Sequence, residues 1–262
     1  MKTTKSKPLT LFPIQNIPDI HPGDDIGGIV IDAISEQGEV LIDGDIIVFT
    51  QKIISKAENR YVKSTSIVPS KNANKLAIIV QKPPELIELI LRESRAILRL
   101  NERTIIVEHN LGFICANAGI DQSNVDHRSF GEEGGVYLLL PKNPDKSAKQ
   151  IRKQLEKFYK ARLGVMIIDS HGRAWRLGTV GTAIGLSGLP GLVDLRGMPD
   201  LYGRELKITR VGAADELAGA ASLVMGQANE NTPVVIARGF PYGLREAEIE
   251  EILRPSDMDL FR

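Results

Sequence analysis

Residues 164–176 read GVMIIDSHGRAWR, and how this stretch folds decides the class of the protein. Val165, Met166, Ile167 and Ile168 form an apolar run without polar alternation, the pattern of a strand covered on both faces. The run delivers Asp169 and Ser170 at its carboxyl end, before a turn-prone His171-Gly172 pair. In α/β sheets, ligand sites gather at that end. A carboxylate beside a hydroxyl suits Mg²⁺ or Mn²⁺, which prefer oxygen ligands. Asp169 or Ser170 could equally cap a helix or turn, and His171 could be a general base or a plain turn residue.

Working outward, residues 147–162 form a helix, with Ile151, Leu155, Phe158 and Tyr159 on one face and Gly164 placed to end it. Before it lies PKNPDK (141–146), the weakest seam in the chain and a candidate boundary between two lobes of one unit spanning 1–262. On the other side, GTVGTAIGLSGLPG (178–191) is glycine-rich and apolar, a tight-packing segment rather than a linker. AADELAGAASLVMGQ (213–227) is a helix ending near Gly226, and PVVIARG (233–239) is another buried strand. In the N-terminal half, LTLFPI (9–14) and GDIIVFT (44–50) read as strands. PPELIELILRESRAILRL (83–100) reads as one helix, with Leu86, Ile87, Ile90, Ile97 and Leu98 sharing a face. TIIVEH (104–109) and GFICA (112–116) form a hairpin around Asn110-Leu111-Gly112. The expected class is mixed α/β of the α+β kind, beyond simple βαβ alternation.

Three further stretches carry candidate chemistry. In GFICANAGIDQSNV (112–125) a strand runs into Asp121, set among Asn117, Ser123 and Asn124; these are also ordinary turn residues. MGQANENTP (225–233) offers the Gln227 amide oxygen as a hard ligand, or simply a solvent-facing loop residue. In FTQKIISKAENR (49–60), Lys52 and Lys56 follow a strand end where an ammonium neutralises phosphate, and Arg60, Arg173, Arg176 and Arg204 could add to it.

Composition limits the choices. The 262 residues suffice for one large domain or two modest ones. Thirty-three basic and 33 acidic residues leave no net charge, which argues against a nucleic-acid partner. The single Cys115 excludes an internal disulfide and a Cys-rich zinc site. No apolar stretch approaches the ~20 residues of a membrane span, and no leader pattern opens the chain. A soluble cytoplasmic protein is expected. P-loop, dinucleotide-binding, H-E-x-x-H and G-x-S-x-G patterns are missing.

Together these stretches resemble the coenzyme F420-0:γ-glutamyl ligase family. The matching pieces include LFPIQNIPDIHPGDDI, GDIIVFTQKIISKAENR, GFICANAGIDQSNV, LLLPKNPDKSA, the run from GVMIID to GLSG, DLYGREL and RPSDMDLFR. They follow the family's order over nearly the whole chain, and NAGID-x-SN with DS-x-GR-x-WR is a specific pair. The resemblance implies an intertwined homodimer. Its reaction would be GTP-driven joining of L-glutamate to the side-chain carboxyl of coenzyme F420-0, through an acyl phosphate. It also implies two divalent cations, Mg²⁺ or Mn²⁺, with a monovalent cation as a further expectation. By matched position, Asp121 and Asp169 would hold one metal, and Ser170 with Gln227 the other. Ile17, Pro18, Asp19, Ile20, Gln51, Lys52, Lys56 and Asn124 would face GTP, together with Gly226, Gln227, Ala228 and Asn229 of the 226–233 loop. Three departures stand out: Ser170 where Thr is common, Gln51-Lys52 where small hydroxyl residues often occur, and a QANENT loop poor in glycine. These leave room for the same fold acting on another acid, or for a protein that binds nucleotide or coenzyme without turnover. The chain stops after DLFR, so the flavin reductase-like extension of some bacterial relatives is expected to be absent.

Overall fold

An apolar strand with no polar face needs covering layers on both sides, and the computed structural model supplies them. It describes residues 8–123 and 135–260. The first half of the chain runs β1 (Thr10–Ile14), α1 (Ile26–Glu36), β2 (Ile46–Thr50), α2 (Gln51–Ala57), β3 (Tyr61–Lys63), α3 (Lys71–Val80), α4 (Pro84–Arg92), β4 (Ser94–Asn101), β5 (Thr104–His109) and β6 (Ile114–Ala116). The second half runs β7 (Val136–Leu138), α5 (Pro144–Tyr159), β8 (Gly164–Arg173), β9 (Arg176–Ser187), β10 (Val193–Asp194), β11 (Arg210–Val211), α6 (Ala213–Met225) and β12 (Val234–Arg238).

The main sheet has the order β1-β12-β2-β8-β9. Only β2 and β8 run parallel, Ile46 facing Gly164 and Thr50 facing Ile168; the other neighbours are antiparallel. Smaller sheets β4-β5-β6, β3-β7 and β10-β11 complete the mixed α/β fold. Side chains alternate with the pleat. Ile47, Phe49, Val165 and Ile167 join one core with α1 and α5, while Ile46, Val48, Met166 and Ile168 join a second core with α6. The expected two-sided burial of 165–168 is therefore observed.

The glycine-rich stretch is β9, and its glycines let two helices approach. A Cβ on Gly181 would lie 2.4 Å from the Ala218 carbonyl oxygen of α6, and one on Gly185 would lie 2.5 Å from Pro144 Cβ of α5. The first acids of these helices take up amides of the same strand: Leu186 N–H donates to Asp145 (2.7 Å) and Ala183 N–H to Asp215 (3.0 Å). Gly181→Ala is expected to cost about 1–3 kcal/mol, because backbone rather than a flexible side-chain end blocks the new methyl. Urea unfolding checks this; an unchanged midpoint would show that α6 is free to shift.

Four expectations are corrected. The helix expected over 83–100 stops at Arg92, and Ile97 and Leu98 lie on β4, paired with β5. Their spacing fitted either period; pairing with the β-branched Thr104, Ile105, Ile106 and Val107 decides for a strand. The helix expected over 147–162 runs from Pro144 to Tyr159, capped by Asn143, whose side chain accepts from Lys146 N–H, and closed by Lys160 at φ 56°. Gly164 accordingly starts β8 instead of ending a helix. His171-Gly172 is no turn: the strand continues to Arg173. α1, α2 and α3 were not anticipated. IGGIVIDAISE in α1 carries two glycines and a β-like set of branched residues, and QKIISKA in α2 is under two turns long. Among the described residues no helix is long and apolar enough to cross a membrane.

Candidate active site

The site arises because β8 outruns its parallel neighbour. β2 ends at Thr50 beside Ile168, whereas β8 continues for five residues paired only with β9. Asp169 and Ser170 are thus the first residues past the edge of β2, and the pleat sends them to opposite faces. Each face meets its own set of partners.

On the Asp169 face, the chain turns directly from β2 into α2, so Gln51 and Lys52 stand at a helix start beside the strand end. Both donate to Asp121 Oδ2, Gln51 Nε2 at 2.5 Å and Lys52 Nζ at 2.7 Å. Ser55 Oγ donates to Gln51 Oε1 and fixes that amide's orientation. Asp121 is anchored through its backbone, which exchanges two 2.9 Å hydrogen bonds with Leu138. A left-handed turn precedes it, with φ of 52°, 53° and 61° at Asn117, Ala118 and Gly119. Such a run is costly for side-chain-bearing residues and is retained where the surroundings enforce it. A side chain at Gly119 would be strained at that φ, and its Cβ would lie 2.7 Å from Leu140 Cδ1, which would have to move.

On the Ser170 face, α6 ends at Gly226, φ 77°, and places Gln227 against the strand. Ser170 Oγ donates to Gln227 Oε1 at 2.9 Å, and Gln227 Nε2 donates to Ser222 Oγ at 2.9 Å. Ser222, one turn before the helix end, was not singled out from sequence; nothing in a lone helical serine would have marked it. Farther along α2, Lys56 Nζ donates to Asp19 Oδ1 at 2.8 Å and holds that carboxyl below its usual range.

One cavity of about 930 Å³ joins these groups. Asp121, Asp169, Ser170 and Gln227 line it, as do Gln51, Lys52 and Lys56. Pro18, Asp19 and Ile20 form another part of its wall, and Gly226, Ala228 and Asn229 a third. Ile17 lies in the core, 2% exposed, and is not among the lining residues. Asn124 falls outside the described residues. Arg60 is used elsewhere, bridging the Leu140 carbonyl and Glu93, and Arg173, Arg176 and Arg204 do not line the cavity. Cys115 is buried in β6, and burial pushes its thiol up to about 12, as expected of a packing residue.

Electrostatically the cavity is prepared for added positive charge. Burial pushes the Asp121 carboxyl up; the Lys52 ammonium opposes this, and the Asp169 charge reinforces it. Two like charges sharing a desolvated space are relieved by a cation. No three His, Cys, Asp or Glu side chains cluster among the described residues. The donors present are two carboxylates, a hydroxyl and an amide oxygen, and this set fits hard divalent cations.

Behind the site, His109 is 2% exposed, its Nδ1 accepting from Leu111 N–H at 2.9 Å. Burial, with the Arg60 charge, pushes its imidazole down to about 4 from 6.5. The unfolded chain therefore takes up a proton below pH 6.5 that the folded chain refuses, so this contribution is complete above pH 6.5 and is lost toward pH 4. We expect His109 to account for about 2 kcal/mol of lost stability between pH 7 and pH 5. His109→Asn keeps an acceptor and removes the titration; urea midpoints falling equally steeply with pH in the variant would refute this.

Fold and site define a mixed α/β enzyme-type scaffold, with one charged cavity at the carboxyl end of its parallel strand pair, provided with lysines and hard oxygen donors. More particularly, the chain belongs to the F420-0:Gamma-glutamyl ligase family, whose model matches residues 15–239. A protein of Methanothermobacter thermautotrophicus named Coenzyme F420:L-glutamate ligase is 45% identical over 256 residues, covering 97% of this chain and 99% of that one. Proteins of the same name from Methanocaldococcus jannaschii and Archaeoglobus fulgidus are 46% and 38% identical, covering 84% and 96% of this chain and 85% and 96% of their own.

Proposed function

We propose that this protein is a GTP- and divalent-metal-dependent ligase that joins L-glutamate to the side-chain carboxyl of coenzyme F420-0. The observation that carries the proposal is the convergence of Asp121, Asp169, Ser170 and Gln227, from three separate stretches of chain, on one cavity that also holds Lys52 and Lys56. The names and near-complete coverage of the relatives support the substrates.

In this reading the acceptor carboxylate attacks the γ-phosphorus of GTP and displaces GDP. The glutamate amine then attacks the acyl phosphate carbon, phosphate leaves, and the amine proton is lost. Asp121 and Asp169 would hold one divalent cation, and Ser170 with Gln227 a second. Bound there, such cations neutralise the phosphates and align the reacting oxygens. Lys56 and Lys52 add positive charge toward the triphosphate, and Lys56 would exchange its Asp19 partner for phosphate when nucleotide binds. The walls formed by 18–20 and 226–233 limit water access to the activated acid, which hydrolysis would waste. The working unit is a homodimer, supported by Leu177, Leu201 and Tyr202, which are 95–98% exposed. A second copy would cover these apolar side chains.

Incubation with GTP, Mn²⁺, L-glutamate and coenzyme F420-0, followed by mass spectrometry, tests the proposal. A product heavier by a glutamyl unit, with one phosphate released per unit, is expected. GTP-independent turnover, or faster turnover on an unrelated acid, would overturn it.

A further inference from the structure

Asp169 is held by a chain of rings that the proposed chemistry does not use. On β8, Asp169 and His171 are two residues apart and so share a face. His171 Nε2 lies 3.1 Å from Asp169 Oδ2. The contact is a hydrogen bond in the tautomer that carries its proton on Nε2, with the carboxylate oxygen accepting. The ring is set from behind: Phe113 packs against it with centroids 5.4 Å apart at 45°, and His109 stacks on Phe113 at 5.2 Å and 8°. Both of these rings are nearly fully buried. His109 is itself tethered by Leu111 N–H. The row of rings runs from the β5-β6 hairpin to the strand bearing Asp169, and His171 at its end lines the cavity.

We infer that His171 is a positioning residue for the Asp169 carboxylate, occupying Oδ2 so that the other oxygen is presented in one orientation to a divalent cation. The inference rests on the proposed metal-binding role of Asp169. Without the Nε2–H donor, the carboxylate is free to rotate about its last torsion, and its orientation must be fixed anew each time a cation binds. Outer hydrogen bonds to metal-binding groups typically contribute a 10–100-fold factor in metal affinity.

Two variants separate this role from packing. His171→Phe keeps a ring against Phe113 and removes the donor; His171→Gln keeps an N–H at a similar reach and removes the ring. Titrating each protein with Mn²⁺ alone, following free Mn²⁺ by electron paramagnetic resonance, gives affinity without reference to turnover. We expect about 10–100-fold weaker Mn²⁺ binding in His171→Phe and recovery of most of it in His171→Gln. In turnover assays, His171→Phe should raise the Mn²⁺ concentration for half-maximal rate by a similar factor, with kcat at saturating Mn²⁺ nearly retained. Unchanged Mn²⁺ affinity in His171→Phe, or equal weakening in both variants, overturns the inference while leaving the metal site standing. Absence of Mn²⁺ binding in the unaltered protein overturns the metal site, and this inference with it.

Discussion

Asp169→Ala is expected to reduce turnover roughly 10³-fold while leaving the protein folded. The side chain lines the cavity and belongs to neither hydrophobic core, so its loss removes no apolar core packing. Its removal relieves the like charge that pushes the Asp121 carboxyl up but also takes away the partner of His171 Nε2, so the net change in stability should be small. In the proposed reaction, what would disappear is a hard anionic metal ligand beside the reacting phosphates. Stabilisation of phosphate charge by a held cation is worth several kcal/mol, and each 1.36 kcal/mol is a decade in rate. Steady-state rates with excess Mn²⁺, paired with urea unfolding of the same preparation, check the prediction. Near-normal turnover would remove Asp169 from the site; a collapsed midpoint would make it a structural residue.

Phe49→Ala is expected to have the largest effect on stability, about 3–5 kcal/mol. Phe49 is fully buried in β2, between β12 and β8, and faces the core shared with α1 and α5. Truncation leaves a cavity that central strands cannot collapse to fill. Against a total stability of about 5–15 kcal/mol, the variant should lose much of its margin. Because Gln51 and Lys52 follow within three residues, activity should fail at a lower temperature along with the fold. A drop in the urea midpoint with unchanged m value is expected. Val68→Ala, at an 82% exposed position, should shift stability by only about 0.5 kcal/mol or less. If the two variants matched, β2 would not be the centre of the core.

Much of the fold was legible where one period dominated. The apolar runs 46–49, 165–168 and 234–237 could be satisfied only by strands covered on both sides, and the glycines of β9 announced close packing. Legibility failed where a short segment suited two periods, as at Ile97 and Leu98, or where a helix was too short to show one, as in α2. The site divides the same way. Asp121, Asp169, Ser170 and Gln227 stood out as oxygen donors at strand or helix ends. Arg60, plausible as a phosphate ligand from its charge, proved committed to Glu93 and the Leu140 carbonyl. Ile17, next to the lining residues in sequence, is buried in the core while Pro18 and Asp19 beside it are exposed at the cavity, a choice made by packing in a segment without regular structure.

The sequence by itself determined which segments are buried, that the protein is of mixed α/β class, and which side chains offer hard oxygen donors, because local periodicity and side-chain chemistry are properties of short stretches. Only the tertiary structure decided that β8 outruns β2 and that two lysines and an amide arrive at the overhang. It alone set Ser222 beneath Gln227 and a row of three rings behind Asp169. Most of those relations join residues tens to more than a hundred positions apart, and even the close pair Ser222 and Gln227 meets only because the helix ends between them; sheet register and helix packing set the pairing.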